Sequence, residues 1–208
     1  MARLDPMDFD DLEGEHAVLF DTLRESYGQL PSSFLTLGRM PLLLDALSRM
    51  AIATLGEGRI DVGLKWMVSH VASRAAGCSY CSAHTGYHAA ETAGVPVEKV
   101  EALWGFETSE LFDDREVVAL RIARDAALTP NQVTDGHFED LKRHFSDDEI
   151  VELIAPVAMF GFLNRWNDTF STDLEQEPSY FAAQHLAEAG WEAKPPSAPA
   201  EPDDRERP

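Results

Sequence analysis

Cys78-Ser-Tyr-Cys81-Ser-Ala-His84 sets two thiols and an imidazole within two helical turns, and these are the only two cysteines in 208 residues. The chemistry open to such a pair is redox: a thiolate attacks an electrophile, and a second thiol closes a disulfide. A cysteine in the first turn of a helix faces backbone N–H groups that lack an intrahelical acceptor, and it faces the positive end of the dipole. Both favour the thiolate. Cys81 falls one turn above Cys78, with His84 one turn higher, a layout suited to a disulfide that opens and closes beside an imidazole. His70 on the preceding segment and His88 further along add proton-handling groups. His84, His88 and Glu91 follow at four- and three-residue steps, the spacing of a relay along one helix face. The same residues also admit a structural zinc half-site, Cys78 and Cys81 with two of His70, His84 and His88, or an inert buried pair. Structural zinc sites draw four ligands from separated segments, and only two cysteines exist here. The reading is therefore a redox site, with no metal and no cofactor.

The elements that must carry these residues read as helices almost throughout. In Asp61 to Ala76, Leu64, Met67, Val68, Val71, Ala72 and Ala75 recur at the steps of one buried face. Gly77 ends that helix and the cysteine helix starts at once. Gly94-Val95-Pro96 stops it and opens a short helix through Val100 and Leu103. Asp113 to Glu116 place acids at the start of a helix to about Leu128, closed by Thr129-Pro130. Thr134 to Phe145 is predicted to be another. Ser146-Asp-Asp-Glu149 is a capping box for a long apolar helix to Trp166, in which Pro156 is expected to make a kink or break. Upstream, Glu13 to Tyr27, Ser33 to Leu37 and Leu42 to Ala53 have helical patterns. No strand ladder is visible. The expectation is a compact all-α domain over residues 1–192, with a disordered proline-rich, acidic tail at 193–208.

Composition narrows the function. A formal charge of −20, from 37 acids against 17 Lys and Arg, argues against nucleic acid and against anionic membrane, both of which need basic patches. No run of about 18 apolar residues is present to span a membrane. Met1 to Asp10 lacks an apolar stretch ahead of its acids, so no signal peptide is expected. Two cysteines without a leader point to the cytoplasm, where Cys-x-x-Cys is more often catalytic or metal-binding than a permanent staple.

The stretch Val71-Ala-Ser-Arg-Ala-Ala-Gly-Cys-Ser-Tyr-Cys-Ser-Ala-His84 resembles the active-site segment of the carboxymuconolactone decarboxylase-like superfamily, in its alkylhydroperoxidase D-type branch. Acid-Arg-Glu-x-x-Ala-Leu at Asp114 to Leu120, Phe145 to Leu153, and Asn164-Arg165-Trp166-Asn167 are similar to later parts of those proteins, so the resemblance spans about residues 40–175. It implies an all-α fold of the alkylhydroperoxidase D-like type and a thiol peroxidase. In that role Cys81 attacks the hydroperoxide and becomes a sulfenic acid, Cys78 resolves it as a disulfide, and His84 polarises the attacking thiol. It also implies a dithiol reductant (a lipoyl domain, a thioredoxin-like protein or a small thiol) and a homo-oligomer. Decarboxylation is not implied, because the true decarboxylases of the superfamily lack the cysteine pair. Two positions depart from the family. The glutamate found twelve residues before the first cysteine is Trp66 here, and the register position of the family histidine is Thr85, with His84 one residue early. Two other readings stand beside peroxidase: a redox-sensing or interaction module with little turnover, and a zinc-stabilised scaffold.

Overall fold

The computed structural model describes residues 2–7, 18, 21 and 30–193. Apart from Val18 and Asp21, the helix expected over 13–27 lies outside them, as does the tail expected over 193–208 apart from Ala193. The described residues are all-α, with nine helices and no strand: α1 Ser32–Leu37, α2 Pro41–Leu55, α3 Val62–Ala75, α4 Ser79–Glu91, α5 Val97–Glu101, α6 Asp114–Ala127, α7 Asp135–Leu141, α8 Asp147–Phe170 and α9 Gln176–His185. A 3₁₀ turn, Leu103–Gly105, follows α5.

Local chemistry sets most boundaries. Asp61 caps α3 by accepting the Leu64 N–H, and Asp113 with Glu116 and Ser146 with Glu149 form reciprocal capping boxes on α6 and α8. Gly77 and Gly94 take positive φ, 76° and 69°, to end α3 and the turn after α4. Two helices differ from expectation. The helix expected to reach Phe145 ends at Leu141, where the amides of His144 and Phe145 both turn back onto the Leu141 carbonyl. The break expected at Pro156 does not occur: α8 runs through it for 24 residues. The local cost of an interior proline, about 3 kcal/mol, is set against the burial of the Pro156 ring and of the apolar residues Ile150, Leu153, Val157, Met159 and Phe160 on the same helix. Helix α9 has too weak a pattern to be read from sequence, since only Pro178, Phe181 and Ala182 of its ten residues are buried.

Helix α3 is central and packs on α4, α6 and α8. Rather than one buried stripe, its residues Gly63 through Ser73 are buried all round, except Trp66. Most of its buried polar groups have partners, although Ser73 Oγ has none. Lys65 meets Glu152 at 2.6 Å and the Gly56 carbonyl at 2.7 Å, and Ser69 donates to the Lys65 carbonyl. A second apolar cluster, Leu30, Phe34, Leu37, Leu44, Leu47, Tyr80, Met159 and Phe160, encloses both cysteines between α1, α2 and α8. Among the described residues no helix is long and apolar enough to cross a membrane.

Candidate active site

The end of α3 places the first cysteine. Gly77 N–H bonds the Arg74 carbonyl and Cys78 N–H bonds the Ser73 carbonyl, each at 3.0 Å. This pair of bonds across a left-handed glycine delivers Cys78 to one backbone position. Cys78 is then the N-cap of α4, and its Sγ accepts the Cys81 N–H at 3.4 Å. The sulfur on the orphan helix amide is thus that of Cys78. Both cysteines are free thiols, and both are buried.

Cys81 faces the other way, into a cavity of about 80 Å³ walled by Phe34, Leu47, Leu55, Trp66, Phe160 and Leu163. Asn167 of α8 donates from Nδ2 to its Sγ at 3.3 Å, and Asn167 Oδ1, also buried, has no hydrogen-bond partner. Burial pushes the Cys81 thiol well up, and the neighbouring Cys78 sulfur pushes the same way; the Asn167 amide opposes them. Cys81 is therefore disposed to a protonated thiol in a largely apolar cavity. The first-turn argument for a ready thiolate does not extend to it, because desolvation outweighs the helix end.

His84 lines the same cavity. Its Nε2 lies 2.5 Å from Glu175 Oε2, and Glu175 also accepts the Tyr80 hydroxyl at 2.9 Å and the Ser32 backbone N–H. Burial alone would push the Glu175 carboxyl up, but the bond from His84 and those from backbone amides win and hold it at about 2. Glu175 is thus an anion at neutral pH, and it fixes a proton on His84 Nε2. His88 stacks on Trp66 with centroids 4.8 Å apart and lies 6.0 Å from the His84 ring. Its Nδ1 meets Thr92 Oγ1 at 2.9 Å, and burial followed by the charge of His84 lowers it to about 4. The column His84–His88 exists, but its carboxylate is Glu175; Glu91 is exposed.

His70 is placed elsewhere. It is fully buried behind α4, where Nδ1 donates to the Ser82 carbonyl at 2.9 Å, and burial, then Arg74, lower it to about 4. Thr85, at the family's histidine register, sits against His70 and donates to the Cys81 carbonyl at 2.7 Å, so it points away from the cavity. Among the described residues no three His, Cys, Asp or Glu side chains converge as a metal site requires. Arg165, which on a buried helix face would need a carboxylate, is exposed and donates to the Gly161 carbonyl.

The sequence does not mark Glu175 or Asn167 as site residues, nor Trp66 as part of the cavity wall. Glu175 is the N-cap residue of α9 and lies 91 positions from His84; nothing local distinguishes it from 36 other acids. Asn167 had a faint signal, an amide on an apolar helix four residues from the end.

The chain that holds this Cys-x-x-Cys at the start of a helix, a histidine one turn on and a carboxylate behind it has counterparts among known proteins. The model of the carboxymuconolactone decarboxylase family matches residues 41–125. The uncharacterized protein YnjA of Escherichia coli (strain K12) is 30% identical over 146 residues, covering 69% of this chain and 79% of that protein. The chain belongs to this family. Among solved structures, the debrominase Bmp8 superposes with a TM-score of 0.78 at 31% identity, over 86% of this chain and 95% of that one. A cysteine-to-alanine variant of Bmp8 was crystallised with 2,3,4-tribromopyrrole. The alkylhydroperoxidase AhpD core of an uncharacterized peroxidase-related protein from Ralstonia eutropha JMP134 superposes with a TM-score of 0.75 at 21% identity, over 87% and 95% of the two chains. The fold is of the AhpD type.

Proposed function

We propose that this protein is a two-cysteine reductase of small apolar electrophiles, organic hydroperoxides in the first place. The observation that carries the reading is the position of Cys81: it lines an apolar cavity that His84, bonded to Glu175 behind it, also lines, while Cys78 waits one turn away. Sulfur attacks the outer peroxide oxygen, the O–O bond breaks, and the alkoxide leaves as the alcohol. The thiol proton travels to that oxygen, with the His84 imidazole as the group in the cavity able to carry it. Cys78 then attacks the sulfenic sulfur, water leaves, and the disulfide closes. One hydroperoxide and two thiols give one alcohol, one water and one disulfide. The spare Asn167 Oδ1 offers an acceptor for the hydroperoxide O–H.

The likeness to a debrominase, together with aromatic walls at Phe34, Trp66 and Phe160, favours a second substrate class for the same cycle. Here Cys81 takes the bromine of a brominated ring, the ring carbon takes a proton, and Cys78 displaces bromide. One aryl bromide and two thiols give one arene, one hydrogen bromide and one disulfide.

Single turnover of the reduced full chain with cumene hydroperoxide or with tribromopyrrole, both without added reductant, separates the classes. One cumyl alcohol and one disulfide per chain supports the first, and one bromide per chain supports the second. Oxidation that takes hours, or never recurs after dithiothreitol, would move the protein to the sensor reading.

A further inference from the structure

The two cysteines open on opposite sides of the first turn of α4. Cys81 faces the apolar cavity, whereas Cys78 lines a separate depression of about 310 Å³. Its walls are Arg74 at the end of α3, Ser79 and Ser82 of α4, and Gly190 and Trp191 of the segment after α9. That segment is tied down at two points: Trp191 Nε1 donates to the Ser79 carbonyl at 3.0 Å, and Arg74 Nη2 donates to the Ala189 carbonyl at 2.6 Å.

Arg74 is the unusual member. Its guanidinium stacks on Trp104 at 4.9 Å, and its Nη1 is buried with no hydrogen-bond partner. Arg49, Arg59, Arg115, Arg121, Arg124 and Arg143 each pair with a carboxylate, and Arg3, Arg39 and Arg165, which bond backbone carbonyls, are exposed to water. Among the described residues Arg74 forms no such pair, although acids outnumber bases 37 to 17 in the chain. A half-buried cation without a counter-ion is unfavourable and is relieved by an anionic ligand. Cys78 is 1% exposed, so a partner must reach it with a thin group. The volume lies at the small end of ligand sites, about 300 to 1,000 Å³. Glu192, exposed at the rim, is the other charged group lining the depression and works against ligands with several negative charges.

We propose that this depression binds the reductant, a small thiol bearing a carboxylate, with the carboxylate on Arg74 and the sulfur against Cys78. The inference rests on the two-cysteine cycle described above. The incoming thiolate attacks Cys78 Sγ, the protein S–S bond breaks, and Cys81 leaves as a thiolate that the Asn167 amide receives and that then takes a proton. A second molecule of the thiol attacks the sulfur of the first in the mixed disulfide, which frees Cys78. Two small thiols become one small disulfide, and the protein disulfide becomes two thiols.

The test isolates this half of the cycle. The full chain is oxidised with diamide, and its re-reduction is timed with N-acetylcysteine and with N-acetylcysteine amide, in wild type, Arg74→Met and Arg74→Lys. The expected result is a loss of about tenfold or more for the carboxylate thiol in Arg74→Met, the worth of one charge-assisted contact, with less than about twofold for the amide. Arg74→Lys keeps the charge and most of the preference. The amide rate doubles as the check on folding. Equal losses for the two thiols, no loss, or reduction by a protein dithiol alone overturns the proposal. If diamide forms no Cys78–Cys81 disulfide, the two-cysteine cycle itself fails, and this site with it.

Discussion

Glu175→Gln removes the anion that three donors converge on while keeping the shape of the side chain. The carboxyl is held at about 2 against an ordinary 4.5. That displacement is worth about 3 kcal/mol at neutral pH, and the side chain is only 8% exposed, so little of it is screened. Glutamine retains one acceptor but turns an N–H toward His84, Tyr80 or Ser32, so the expected loss of stability at pH 7 is about 1 to 3 kcal/mol. The sign with pH follows from the direction of the shift. A depressed carboxyl stabilises fully above its unfolded value and loses that contribution as pH falls from about 4.5 through about 2. Urea unfolding of both proteins at pH 7, 5, 4 and 3 should give a difference that is constant from 7 to 5 and shrinks below 4.5. A difference that stays constant down to pH 3, or that is below about 0.5 kcal/mol at pH 7, would refute the assignment of Glu175 as the buried partner of His84.

Cys81→Ser should abolish substrate reduction, while Cys78→Ser should leave a sulfenic acid on Cys81 that dimedone traps after peroxide; dimedone found only on Cys78 would reverse the roles. His84→Ala should slow single turnover by about 10²-fold. His70→Asn, which keeps a donor near the Ser82 carbonyl, should leave the rate within a few-fold in a rapid-mixing assay. It should also flatten the loss of stability that wild type shows as pH falls from 6.5 to about 4, where His70, held neutral in the fold, must take a proton to unfold. Asn167→Leu removes the one group that lowers the Cys81 thiol, so alkylation of Cys81 by iodoacetamide should slow and its pH midpoint rise.

The site divides into what is local and what is not. Cys78, Cys81 and His84 were legible as neighbours because three-residue steps along one helix keep side chains a turn apart, and because Gly77 at positive φ both ends α3 and delivers Cys78 to the next helix start; that Cys78, as the N-cap, opens on the other side from Cys81 was not legible. The capping boxes at Asp113 and Ser146 were legible for the same reason: both partners lie within four residues. Helix α9 was not, since its few buried residues leave no period to read.

By itself the sequence determined the all-α class, from helical periods along most of the chain, and a cysteine pair with an imidazole within one turn of it, from spacing along a single helix. Only the tertiary structure decided the rest. It brought Glu175 from 91 residues away and Asn167 from 86, put Trp66 into the cavity wall, and sent His70 into the core. It also decided the state of Cys81, because a thiol's proton affinity depends on what covers it. A motif at a helix start promises a thiolate, but burial by α1, α2 and α8 pushes this thiol the other way.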